Sequence, residues 1–222
     1  MIVQVAGFHN ETELRAVLSH AIDWVGIPLR LAYHLPDVTD AQAQMLCDLA
    51  SQLGAKPVLI TYLDKFEPLV SLAQYLHVNH VQLHGDVSPA LCRQLRETFP
   101  EWTLIKSVVF ERGHEPSSLL NSKKYEPFVD WFITDTFDPL TGARGATGVA
   151  HDWRFSADLV QASSIPVMVA GGLNPTNVRR CVSETGCSGV DAHTGLEDRQ
   201  GIKSPGLVAE FVRAAKGKKA SR

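Results

Sequence analysis

Eight short runs of apolar, largely β-branched residues recur along the chain, spaced so that each leaves room for one helix after it. They are IVQVAGF (2–8), WVGIPLRL (24–31), PVLITYL (57–63), HVQLHG (80–85), TLIKSVVF (103–110), WFITDT (131–136), PVMVAGG (166–172) and GVDAHTG (189–195). Several lack the polar alternation of a strand with one wet face, which suits strands covered on both sides. The intervening segments carry helix-start signals. NETELRAVLSHA offers Asn10 as a cap with Glu13 three residues on, and TDAQAQMLCDLASQLG opens at Thr39 and closes at Gly54. SPALCRQLRETFP starts Ser-Pro, and PTNVRRCVSETG is expected to run as a helix from Pro175 to Gly186. A further helix falls within SSLLNSKKYEPF, and SPGLVAEFVRAAKG supplies the last.

Strand-then-helix units imply parallel pairing through right-handed crossovers. Eight of them close into an α/β fold, a (β/α)8 TIM barrel, read as one domain over residues 1–222. Typical barrels need about 250 residues, so helices and loops here must be short. An open doubly wound sheet is the alternative, but the first βα turn, AGFHN, lacks the G-x-G-x-x-G dinucleotide fingerprint.

A net charge of −3 and a pI near 6.3 give no electrostatic case for nucleic acid or an anionic membrane. No apolar run reaches the roughly 18–20 residues of a membrane span, and MIVQVAGFHNETEL lacks the basic start of a signal peptide. The four cysteines, Cys47, Cys92, Cys181 and Cys187, have no CxxC spacing and read as reduced thiols. The expectation is a cytoplasmic protein, with monomer and homodimer both open. The basic tail KGKKASR reads as a solvated helix end.

In a barrel the carboxyl ends of the strands form the active-site face. Here these ends carry Ala6–Gly7, Arg30 with His34 beyond it, Asp64, His84–Gly85, Lys106–Ser107, Asp135, Gly171–Gly172, and Asp191 with His193, Thr194 and Gly195. Asp64 and Lys106 also read as rim charges, His34 as a loop residue and His84 as a turn cap. Asp135 ends the apolar run WFIT, where an acid needs a partner or a task. The glycines of AGGLNP and DAHTG let backbone N–H groups approach an anion at the usual phosphate position of this fold. The ligand expected is therefore a phosphorylated small molecule. His34, Asp64, His84, Asp135 and His193 could compete as metal ligands, but they are scattered without HxH or HExxH spacing, so neither metal nor cofactor is expected.

These residues resemble the phosphoribosylanthranilate isomerase family of tryptophan biosynthesis. VQLHGD (81–86), ITDT with GATGVAHDW (133–153), VAGGLNPTNV (169–178) and GVDAHTGLEDRQGIKSP (189–205) lie in register with the family's VQLHG, LLD…GGxGxxFDW, GGLxPxNV and DVSSGVE…G.KD segments. The resemblance implies an Amadori rearrangement of a phosphorylated aminoaldose to an aminoketose. It makes Asp135 the general acid, places His84 and Asp191 on the substrate, and puts phosphate on Gly171, Gly172, His193, Thr194 and Gly195. It also makes 137–152 a glycine-hinged loop over the substrate.

The departures concern proton abstraction and the aromatic acid. Where the family's KICGI carries its basic cysteine, this chain reads QVAGF and has Ala6. The family's arginine for the anthranilate carboxylate has only Arg30 and His34 as counterparts in PLRLAYHLPD. A family isomerase with a substitute base (His84, His34 or His193) is one reading. The others are an enzyme acting on another phosphorylated sugar or heterocycle, and a non-catalytic binder of a phosphorylated ligand. The retained acid and long loop argue against the last.

Overall fold

A computed structural model describes residues 1–31, 37–110, 115–136 and 153–217, with the backbone alone at 110, 115, 116, 135 and 136. His34, the 137–152 loop and the end of the basic tail lie outside the described residues. Eight strands follow one another: β1 (Ile2–Ala6), β2 (Trp24–Pro28), β3 (Lys56–Thr61), β4 (His80–Leu83), β5 (Thr103–Phe110), β6 (Trp131–Thr136), β7 (Val167–Val169) and β8 (Gly189–Ala192). Each pairs in parallel with the next, and β1 pairs with β8, so the sheet closes as a barrel. Closure removes every sheet edge.

The helices are α1 (Glu11–Leu18), α2 (Asp40–Gln52), α3 (Phe66–Tyr75), α4 (Pro89–Thr98), α5 (Glu115–Ser122), α6 (Trp153–Ala162), α7 (Val178–Thr185) and α8 (Pro205–Lys216). Their starts are chemically specified. Asn10, Thr39, Ser88 and Ser204 each accept the N–H three residues on, which satisfies a donor that the helix itself leaves unpaired. Thr39 and Gln42 complete a reciprocal capping box. At α1 the reciprocal half fails. The Glu13 carboxylate accepts from His9 N (2.7 Å) and Lys203 N (2.7 Å) instead, so it ties the first βα turn to the loop after β8.

Two expectations are corrected. The seventh helix begins at Val178 rather than Pro175, because Asn174 and Asn177 exchange hydrogen bonds with the 174–177 backbone in a preceding turn. Lys106 is not a rim charge: it is 4% exposed, four residues short of the end of β5. Its ammonium donates to Gly85 O (3.0 Å) and Ser107 O (2.7 Å) and lies over the Tyr125 ring. Asp64 does lie exposed on the rim.

The core has two layers. One fills the space between strands and helices; the other fills the barrel. Inside the barrel, Trp24 packs edge-on against Trp131 (5.3 Å) and His80 (5.5 Å), which plugs the end where the strands begin. Towards the strands' carboxyl ends the lining turns small and polar, with Ala6, Gly26, Gln4 and Gln82. A Cβ on Gly26 would come within 2.7 Å of both Ala6 Cβ and Ile60 Cδ1. Only glycine lets these neighbours close while space remains above them.

Candidate active site

That space is a cavity of about 450 Å³ at the carboxyl ends of the strands. It brings together His84, Gly171, Gly172, Asp191, His193, Thr194 and Gly195 from three strand ends. A larger depression of about 630 Å³ lies on the outer flank between α3 and α4, lined by mixed charges, and contains none of these residues.

β7 and its turn supply one wall. Gly171 (φ +96°) and Gly172 (φ +63°) both adopt left-handed backbone that disfavours side chains. Asn177 Nδ2 donates to Gly172 O (2.9 Å) and holds this turn against α7. Across it, a Cβ on Gly195 would overlap Leu173 O. The loops after β7 and β8 thus meet backbone to backbone, which only glycine permits there.

His193 follows β8, and its ring lies over Gly7 (φ +76°), the residue after Ala6. A Cβ built on Gly7 would overlap the Nε2 corner of that ring, 2.6 Å from both Cδ2 and Cε1. Glu197 Oε1 lies 3.4 Å from Nε2 and 2.6 Å from the ammonium of the fully buried Lys203. Burial foremost, then the Lys203 charge, pulls the His193 pKa down to about 4 against the opposing pull of Glu197 and Asp37. The ring keeps 37% of its surface accessible, so water moderates this penalty. Its resting form is the neutral imidazole, with a lone pair available to take a proton.

His84 is 5% exposed and stacks on Tyr62 with ring centroids 5.4 Å apart. Gln82 Nε2 lies 2.8 Å from His84 Nε2, and Gln4 Nε2 donates to both Gln82 Oε1 (2.9 Å) and Asp191 Oδ1 (3.0 Å). Asp135 pairs with Val109 near the end of β6, two residues beyond the cavity-lining Ile133. Arg30 is not brought to the cavity. Its guanidinium donates to both Asp40 oxygens (2.8 and 2.6 Å), and those bonds hold the Asp40 carboxyl below its ordinary range. Among the described residues, no three His, Cys, Asp or Glu side chains gather as a metal site.

A barrel whose glycine turns face a histidine and an aspartate across one cavity fits phosphosugar isomerisation, and known proteins agree. The family described as N-(5'-phosphoribosyl)anthranilate (PRA) isomerase matches residues 38–214. The chain belongs to the PRA isomerase family.

N-(5'-phosphoribosyl)anthranilate isomerase 2 of Methanosarcina mazei is 39% identical, over 97% of this chain and 94% of that protein. Monomers generated from the dimeric PRA isomerase of Thermotoga maritima superimpose with a TM-score of 0.80 at 23% identity, covering 98% and 100% of the two chains. A PRA isomerase in complex with reduced 1-(o-carboxyphenylamino)-1-deoxyribulose 5-phosphate superimposes with a TM-score of 0.78 at 22% identity, over 98% and 100%. Ala6, where the sequence resemblance expects the family's cysteine, is 3% exposed and carries no ionisable group.

Reading strand ends alone missed Gln4, Gln82, Glu197 and Lys203. Gln4 and Gln82 did carry a signal: an amide in the middle of an otherwise apolar buried strand requires a partner.

Proposed function

We propose that the chain is a PRA isomerase of tryptophan biosynthesis, working in the cytoplasm on a phosphorylated aminoaldose, with His193 as the base that replaces the family's cysteine. Asp135, at the end of β6, protonates the furanose ring oxygen and opens the ring to an imine cation at C1. His193 then takes the C2 proton, leaving an enolamine. Protonation at C1 and loss of the C2 hydroxyl proton give the aminoketose, so the isomerisation needs no redox partner. His84 and Asp191 hold the substrate, and the Gly171–Gly172 turn, Thr194 and Gly195 take its phosphate.

The placement of the His193 ring over Gly7, beside Ala6, carries this reading, because it brings a neutral imidazole to the strand end where the missing thiol would act. The dianionic phosphate, together with Glu197 and Asp37, supports the imidazolium once it forms. One observation favours a second reading. Arg30 is committed to Asp40, which leaves the aromatic carboxylate without that arginine and suits another phosphorylated sugar or heterocycle.

Turnover of freshly generated phosphoribosylanthranilate, followed by loss of its fluorescence, tests both for wild type, His193→Asn and Ala6→Cys. Activity in wild type that disappears in His193→Asn is the expected result. A silent wild type rescued by Ala6→Cys would remove His193 as the base. Silence in all three would favour the second reading.

A further inference from the structure

The barrel interior carries a polar chain that an apolar plug could have replaced. Gln4 is fully buried and Gln82 is 2% exposed, each inside its strand, yet both side chains are carboxamides. Gln4 pairs in register with Asp191 on the neighbouring β8, and Gln82 lies two residues before His84. The bonds run Asp191 Oδ1 (3.0 Å) to Gln4 Nε2, Gln4 Nε2 (2.9 Å) to Gln82 Oε1, and Gln82 Nε2 (2.8 Å) to His84 Nε2.

We propose that Gln4 and Gln82 are positioning residues that hold His84 in its neutral Nδ1–H tautomer, with Asp191 fixing the direction of the chain. A carboxamide nitrogen only donates, so the imidazole nitrogen facing it must accept and therefore carries no proton. The Gln82 amide cannot simply turn over, because its NH2 would then meet the NH2 of Gln4. Gln4 cannot turn over either, because its oxygen would meet the carboxylate oxygen of Asp191. Each orientation is imposed by the one before it, starting from a group that only accepts.

The unpaired oxygen of Gln4 supports this direction. Gln4 Oε1 is buried and, among the described residues, has no hydrogen-bond partner. An amide leaves its acceptor unsatisfied only when something stronger holds its donor end, and here two acceptors do. The same oxygen is what a reversed chain would use. If Asp191 took up a proton, both amides could turn, Gln4 Oε1 would accept from Asp191 and Gln82, and His84 would carry its proton on Nε2.

The consequence for the site deepens the isomerase reading and rests on it. With Nε2 occupied, His84 cannot take the C2 proton through that nitrogen, and Nδ1 presents a donor to whatever group it faces. The other titratable groups lining the cavity with it are Tyr62, His9, Asp37, Asp191, His193 and Glu197.

The test is 15N NMR of the full chain with labelled histidine near neutral pH, which distinguishes the two tautomers by their nitrogen shifts. The His84 signal is identified as the one of nine that His84→Asn removes. Wild type is expected to show Nδ1–H. Gln82→Glu offers His84 only an acceptor, so its ring is expected to carry a proton on Nε2. Gln4→Lys presents donors alone to Asp191 and to Gln82 Oε1, so Nδ1–H is expected to persist. A wild-type ring protonated on Nε2, or no change in Gln82→Glu, overturns the proposal; should Gln82→Glu fail to fold, the wild-type spectrum decides. Because none of these readouts uses turnover, failure of the isomerase assay leaves this result independent.

Discussion

His193 occupies the space in which a side chain on Gly7 would begin: a Cβ there would lie 2.6 Å from both Cδ2 and Cε1 of the imidazole, and closer still to Nε2. A residue of β8's loop thereby reaches the end of β1, next to Ala6. Because the barrel closes through these two strands, their loops are spatial neighbours although nearly the whole chain separates them.

Gly7→Ala is expected to drive the ring from this position. Loss of a positioned base typically lowers the rate about 10²- to 10⁴-fold, and alanine at φ +76° adds backbone strain of about 1–2 kcal/mol. Steady-state kinetics should therefore show a large fall in kcat with phosphate-ligand affinity retained. Circular dichroism should still report a folded barrel. Unchanged kcat would separate the ring's placement from catalysis.

The lowered His193 pKa gives a stability signature with a definite sign. The unfolded chain binds a proton near 6.5, whereas the folded ring does so only near 4. Between these values the unfolded state holds more protons, so stability rises with pH and is lost as pH falls from about 6.5 towards 4. His80 acts in the same sense: burial first, then Lys56, pulls it down to about 4. Urea midpoints should therefore drop between pH 7 and 4.5, with a shallower drop in His80→Gln. Histidine NMR should find the His193 midpoint well under 6.5, and adding inorganic phosphate should raise it.

Asp135→Asn should abolish turnover while leaving affinity for a phosphorylated ligand nearly intact, as an acid needed only for the chemical step would. Gly172→Val should do the reverse. A β-branched residue is strained at φ +63°, and its bulk would enter the turn, so KM should rise or binding disappear. Calorimetry with inorganic phosphate beside the kinetic assay separates the two. Equal loss of both properties in Asp135→Asn would remove its assigned role.

How much of this was legible depended on the sequence distance over which each contact acts. Asn10, Thr39, Ser88 and Ser204 cap helices through a neighbour three residues away, so local spacing reveals them. The Gly171–Gly172 pair was equally legible, since few other residues tolerate that backbone. Gln4 and Gln82 each signalled that a partner was needed, but not which one, because their partnership spans 78 positions and needs both strands to face one interior. Arg30 read as a substrate contact from its place after β2, yet Asp40, ten positions on, holds its guanidinium outside the cavity. The start of α7 was misread because Pro175 suits the first turn of a helix, while Asn174 and Asn177 build a separate turn around it.

The farthest of these long-range contacts carries the last prediction. Glu13 is 4% exposed, and its carboxylate accepts from His9 N and from Lys203 N, 190 positions apart from it in the second case. Lys203 in turn binds Glu197, which faces His193. Glu13→Ala leaves two N–H groups without their acceptor, and each buried donor left unpaired costs about 1–3 kcal/mol. Urea unfolding should report a loss of about 2–6 kcal/mol on that basis. Glu13→Gln should lose less, because its remaining oxygen can serve one donor while its NH2 opposes the other. If Glu13 also steadies the loop that positions His193, both variants should lower kcat more than they raise KM at temperatures where they remain folded. A loss of stability with unchanged kcat would confine Glu13 to holding the barrel's ends together.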